Sequence, residues 1–291
     1  MTIEWDQCEI NDRSLELDNP DEEIGTKLKR WIQVDGDDRP WLVKDARTDK
    51  RDMTVSGEDW AEWLAMILAR QLAIPCAEIK PVRYLGNRAI ASRQVFPPGQ
   101  GALAHGNELL SRANPNYDRH LRSEHPGYTL ESVRSVLLQV QPPPEFTHNS
   151  AFNAFDLWAG YLVLDMLMQG TDRHHQNWAA VSSDQATYLA PTFDHGNSFG
   201  FQLRDPERER RLNSQEHLEK WIQRGKAQAF AGQPSLINLA LGALAMTNTK
   251  TRTFWLERVD ELSPNDFGTS VAGRVPVCGG NSLHLAMVSV S

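Results

Sequence analysis

Cysteine is scarce in this chain of 291 residues. Cys8, Cys76 and Cys278 stand far apart, are odd in number, and form no Cys-x-x-Cys pair. That pattern argues against a disulfide framework and predicts free thiols in a reducing compartment. A surplus of positive charge is missing as well. The formal net charge is −8, which speaks against a protein held to nucleic acid or anionic lipid by bulk electrostatics. Long apolar runs are absent. The most apolar stretch, Leu157 to Met168, is too short to cross a bilayer and carries Asp165. The opening Met-Thr-Ile-Glu-Trp-Asp is acidic and has no apolar run of the secretory kind. The expectation is a cytoplasmic protein, off the membrane, with no direct nucleic-acid contact. Internal repeats and low-complexity tracts are lacking too.

What remains is an ordinary globular composition, with 40% apolar and 23% charged residues. The length suits one large domain or two lobes sharing a cleft. Trp31 to Val34 and Trp41 to Lys44 read as strands, joined through Asp35-Gly36 and Pro40. A helix follows, with Ser56 placed to cap it and Asp59 three residues on. Trp60, Trp63, Leu64, Ile67, Leu68 and Leu72 recur at helical spacing, and Pro75 ends the run. Glu62 falls off the centre of that stripe, where it can face a cleft. Residues 79–85 and 88–96 read as a second hairpin around Gly86-Asn87.

Residues 97–128 are punctuated by Pro97-Pro98-Gly99, Gly101, Gly106, Asn114-Pro115 and Pro126-Gly127. They predict a long loop between two lobes. Beyond them the pattern is mostly helical. Val133, Val136, Leu137 and Val140 mark one helix, and about 152–168 a longer one. Two short strands, 178–181 and 187–189, interrupt it, and helices resume from Asp205 to about Leu262. The fold class expected is α+β, with a small sheet-rich N-lobe over 1–96 and a larger, mostly helical C-lobe over 97–291.

The densest polar cluster is Gly-Thr-Asp-Arg-His-His-Gln-Asn at 170–177. It follows an apolar helix and precedes a strand, so a loop there is held firmly. A hairpin returns the chain to Pro191-Thr192-Phe193-Asp194-His195 and brings Asn177 near Asp194. Phosphoryl transfer needs this set: a carboxylate for the acceptor hydroxyl and oxygen ligands for Mg²⁺. Asp172 fits the catalytic base, and Asn177, five positions on, fits with Asp194 as a metal ligand. Lys44 ends an apolar strand, where an unpaired ammonium is costly, and Glu62 is its natural partner. Gly25-Thr26 precede the first of these strands and are candidates to cover phosphates with backbone N–H groups. His174, His175 and His195 could suggest a metal-dependent phosphohydrolase. Adjacent histidines rarely reach one ion, however, and no His-x3-His spacing supports them.

The order Lys44, Glu62, Asp-Arg-His-His-Gln-Asn and Ala-Pro-Thr-Phe-Asp-His resembles the HipA family of bacterial serine/threonine kinases. The resemblance runs from about Gly25 to about Ser263. It implies a two-lobed protein-kinase-like fold. It also implies ATP held by Lys44, Asp172 as base, and Asn177 and Asp194 on Mg²⁺. Gln94 and Val95 would lie at the adenine hinge. A protein substrate follows, and toxin members of the family act with antitoxin partners. Two other readings stay open: a kinase for a lipid or small molecule, and a catalytically silent nucleotide-binding module.

Overall fold

A computed structural model describes residues 15–17, 29–46, 48, 55–96, 101–149, 151–183 and 186–262. Gly25, Thr26, Cys8, Cys278 and the stretch after Pro276 lie outside them. The first region is a five-stranded antiparallel sheet with a helix on one face. Its strands are β1 (Leu15–Leu17), β2 (Lys29–Gln33), β3 (Trp41–Asp45), β4 (Ile79–Tyr84) and β5 (Asn87–Arg93), in the order β1-β2-β3-β5-β4. The helix α1 (Glu58–Gln71) packs on β4 and β5. Strand side chains alternate between the two faces. Val43 therefore joins Ile32, Trp41, Val82 and Tyr84 in a small core on one face. Lys44, next in sequence and opposite Ile90, turns toward α1.

Three expectations change here. The tight turn is Leu85-Gly86, with φ of 49° and 79°, while Asn87 pairs with Tyr84. A two-residue hairpin loop of this hand needs positive φ at both positions, which places Asn87 inside the ladder. Ser56 does not cap α1. Its N-cap is Gly57, without a side-chain cap, and the Asp59 carboxylate instead accepts from Arg88 of β5 at 2.7 and 3.0 Å. Residues 97–128 are not simply a loop. They contain β6 (Ala102–His105) and α2 (Gly106–Ala113). Gly106 is there for close packing rather than for a turn, since a Cβ would lie 2.2 Å from Trp178.

The second region is mainly helical. β6 pairs with β7 (Ala179–Ser182), which pairs with β8 (Thr187–Leu189) in a separate three-stranded sheet. Around it lie α3 (Leu130–Leu137), α4 (Ala154–Met168), α5 (Asp205–Leu212), α6 (Gln215–Arg224), α7 (Leu236–Ala245) and α8 (Thr249–Asp260). Thr129 and Ser132 form a capping box on α3, and Asn153 and Asp156 form one on α4, which satisfies backbone donors at both helix starts. α4 is buried on nearly every side and forms the axis of this lobe. Gly160 lets Trp255 of α8 approach, and the indole donates to the Asp156 carbonyl at 2.9 Å. The main core runs from α1 through α4 to α7 and α8, so the two lobes share one apolar interior. Among the described residues, no helix is long and apolar enough to cross a membrane.

Candidate active site

The site grows from the end of α4. Gln169 caps that helix in the left-handed region, with φ of 54°, and turns the chain into the loop 170–177. Arg173 on this loop is 5% exposed. Its guanidinium grips Asp165 of α4 with two parallel hydrogen bonds, at 2.7 and 2.8 Å. It also donates to the Asn177 carbonyl and to Thr192 Oγ1, each at 2.9 Å, and approaches His195 Nδ1 at 3.4 Å. One side chain thus ties the helix, both ends of the catalytic-loop candidate and the segment around Asp194. The planar fork of arginine suits such a bidentate, many-partnered role.

Further bonds fix the same geometry. Asn177 Nδ2 donates to the Asp172 carbonyl at 2.6 Å, which leaves the amide oxygen as an acceptor. Thr192 bridges to the end of the small lobe: its N–H donates to the Pro75 carbonyl, and its carbonyl accepts from Ala77, both at 2.9 Å. Cys76 lies between them, and burial pushes its thiol up to about 12, which makes it an inert packing residue.

Asp194 takes a φ of 61°, uncommon for a residue with a side chain. Its carboxylate accepts from Lys44 Nζ at 2.9 Å, and Glu62 Oε1 lies 3.3 Å from the same nitrogen. Lys44 and Glu62 are buried, at 8% and 3% exposed. Burial disfavours the Lys44 charge, but the Asp194 and Glu62 charges outweigh it and hold the ammonium's pKa above its ordinary value. The structure therefore brings Lys44, Glu62 and Asp194 together from three separate elements.

Asp172 is partly buried and close to Asp194. Burial, and then the Asp194 charge, raise its carboxyl to about 6, against a hydrogen bond from Asn197 and the charges of Arg122 and Arg173. A carboxyl tuned this way is mostly ionised at neutral pH yet basic enough to accept a proton from a hydroxyl. The histidines around it are kept neutral. Burial lowers His174 to about 4 and His175 to about 3, and drives His195 well below its ordinary value. His174 Nδ1 accepts from the Gln176 N–H at 3.1 Å, and His175 Nδ1 meets the Tyr117 hydroxyl at 2.7 Å. His195 lies between Arg173 and Thr192. All three brace the loop.

Gln94 and Val95 lie just past β5. The Gln94 N–H donates to the Pro40 carbonyl at 2.9 Å, and Val95 packs on the main core. Sequence reasoning missed Asn197, Arg173 and Asp165. Asp165 offered a signal: a carboxylate in the interior of an apolar helix, past the capping Asp156 and eight residues before an arginine. Asn197 offered none beyond its nearness to Asp194.

No family model and no curated protein matches the chain. Solved structures do. The proinflammatory kinase CtkA of Helicobacter pylori superposes with a TM-score of 0.67 at 16% identity, over 90% of this chain and 86% of that one. HipA of Shewanella oneidensis MR-1, solved with HipB and its operator DNA, gives a TM-score of 0.41 at 12% identity, over 80% of this chain and 55% of that one. A Golgi casein kinase gives 0.34 at 15% identity, over 85% of this chain and 73% of that one. The fold of this chain is the two-lobed, α+β kinase-like fold.

Proposed function

We propose that the chain is an ATP-dependent kinase whose acceptor is a serine or threonine hydroxyl of a protein. The observation that carries this is Lys44 held between Glu62 on α1 and Asp194 at the cleft, with Asp172 close by. A strand lysine paired to a helix glutamate, beside an aspartate able to hold a metal, is the arrangement by which protein kinases transfer phosphate from ATP. In this reading the lobes divide near residue 96, and Gln94 and Val95 form the adenine hinge. Gly25 and Thr26 belong to the loop over the phosphates.

The described residues fit Mg·ATP. Mg²⁺ is satisfied by one or two protein oxygens together with phosphates and water, and Asp194 and Asn177 supply such oxygens. Bound there, the ion would neutralise charge on the phosphates. Lys44 then orients the α- and β-phosphates. Asp172 accepts the proton as the acceptor oxygen bonds to the γ-phosphorus, and ADP leaves with the electrons of the broken P–O bond. Asn197 holds the Asp172 carboxylate in place through its hydrogen bond. Arg173, through Asp165 and Thr192, holds the loop against the Asp194 segment. A toxin role with an antitoxin-type partner rests on the motif resemblance alone; growth on induced expression, with and without the Asp172→Asn change, tests it.

Calorimetric titration separates the two aspartates. Asp172→Asn should bind Mg·ATP nearly as wild type does while transferring phosphate about 10²–10⁴-fold more slowly. Asp194→Asn should lose the Mg²⁺-dependent part of ATP binding, with Asn177→Ala between them. Retention of Mg²⁺ enhancement in Asp194→Asn and its loss in Asp172→Asn would reverse the roles. No nucleotide binding by wild type would end the kinase reading. In labelled-ATP incubations, label on lipid rather than on protein would replace the acceptor class.

A further inference from the structure

A cavity of about 370 Å³ lies beside the loop that carries Asp172, although Asp172 itself is not in its wall. Thr171, the residue before Asp172, and Asn197, its hydrogen-bond partner, both line it. None of Lys44, Glu62, Asn177 or Asp194 does. The cavity therefore lies next to the base through Thr171 and Asn197, and apart from the lysine and metal-ligand candidates, which leaves it to an acceptor.

Its chemistry is one-sided. Arg224 and Lys226 line it, four glutamines (Gln169, Gln202, Gln228 and Gln233) add neutral amides, and no Asp or Glu is in the wall. Both cations are exposed, and among the described residues neither is paired with a carboxylate. A third cation, Arg122, acts on Asp172 from the adjacent loop. That loop is fixed to the cavity wall. Glu124 N–H and Ser123 Oγ both donate to the Gln228 carbonyl, at 2.7 and 3.3 Å, and Gln228 N–H donates to the Thr171 carbonyl at 3.3 Å. A chain of net charge −8 thus gathers three cations near its candidate base, and the cavity wall itself holds no carboxylate.

The wall is built for this closeness. A Cβ on Gly225 would lie 2.2 Å from Gln169 Oε1. Glycine there lets the segment bearing Arg224 and Lys226 close on Gln169, which is 7% exposed. Arg224 also complements the carbonyl end of α6, which explains a cation at that one place. It does not explain Lys226 or Arg122.

We infer that this cavity is the acceptor subsite and that it selects an acidic peptide, in which carboxylate side chains flank the hydroxyl to be phosphorylated. The inference rests on the kinase reading for its catalytic meaning, but its recognition step is measurable without catalysis. Carboxylates on either side of the acceptor would meet Arg224 and Lys226 on one flank and Arg122 on the other. The hydroxyl would then face Asp172. Complementary charge of this kind selects partners and speeds encounter.

The test is fluorescence anisotropy with three labelled peptides, each with one central serine, flanked by glutamate, glutamine or lysine. The glutamate peptide should bind wild type at least about tenfold more tightly than the glutamine peptide, and lose that advantage in high salt. The double change Arg224→Glu with Lys226→Glu should abolish the preference and let the lysine peptide bind. That gain also proves the variant folded. Equal binding of all three peptides by wild type overturns the inference, as does an unchanged glutamate preference in the double variant. So does binding of vesicles of phosphatidylinositol and phosphatidylcholine in place of the glutamate peptide, which would assign the cavity to a lipid headgroup. A protein that binds the acidic peptide but transfers no phosphate keeps this inference and loses the kinase reading. A kinase indifferent to acceptor charge does the reverse.

Discussion

Lys44 and Arg173 are both buried cations, at 8% and 5% exposed, and each is held by more than one partner. Their surroundings differ in kind. The Arg173 fork is saturated by Asp165, the Asn177 carbonyl, Thr192 and His195, all inside the larger lobe. Lys44 gives two of its three hydrogens to Glu62 and Asp194, and the side chain of Asp194 is 42% exposed at the cleft. A closed network of this sort positions its neighbours and has nothing left to offer a ligand. An ammonium with a donor to spare, beside a half-exposed carboxylate, is equipped to meet phosphate. The difference teaches that burial of charge alone does not mark a working site; an unsaturated partner set at a cleft does.

The sharpest way to break this contrast is Arg173→Met. It leaves Asp165 buried without its cation and frees Asn177 and Thr192, so it should cost about 3–5 kcal/mol of stability, as breaking a buried pair commonly does. Urea unfolding measures it; a variant as stable as wild type would mean the brace holds nothing. Lys44→Met should act the other way round. Glu62 can then bind a proton and Asp194 can turn to solvent, so the fold survives. Phosphate transfer should fall by about 10²-fold or more, since a cation aimed at the phosphates is gone. Comparable activity in a folded Lys44→Met protein would equate the two cations and remove the kinase assignment of the smaller lobe.

The smallest effect expected is on pH dependence. The Asp172 carboxyl, raised to about 6, must be ionised to take a proton. Transfer should therefore be at its plateau above that pH and fall by about tenfold per unit well below it. Stability should move oppositely. The folded form binds this proton more tightly than the unfolded form, whose carboxyl has its ordinary value of 3.8. Between that value and about 6, stability falls as pH rises, and above it the penalty is constant. Asp172→Asn should remove that slope and be more stable than wild type at neutral pH. A rate profile without a transition near 6 would place the base elsewhere.

How much of this could be read beforehand varies by residue. Lys44 and Glu62 were legible because two simple periods set them: alternation along β3 and helical spacing along α1. The loop at 170–177 and Asp194 were legible as a motif on either side of a short hairpin. The turn at Leu85-Gly86 lies one residue before the pair that sequence favours, because the hand of the turn, not the Asn identity, chooses its positions. In the sequence the 97–128 stretch reads as loop because its glycines resemble turn signals. Gly106 answers instead to Trp178, which is distant in sequence. In the sequence Arg173 is only part of a motif, and its partner Asp165 only a charge that spoils a membrane span.

The sequence by itself determined the alternation that turns Lys44 toward α1, the apolar axis of α4 and the polar loop that follows it. These depend on local period and on neighbours along the chain. Only the tertiary structure decided that Arg173 closes on Asp165 and Thr192, that Asn197 reaches Asp172, and that Arg224 and Lys226 line a cavity beside the loop on which Arg122 acts. Those meetings join segments whose separation in sequence carries no period. They are set by which apolar faces α4 and α7 bury against the rest of the core, and packing of that kind is a property of the whole chain.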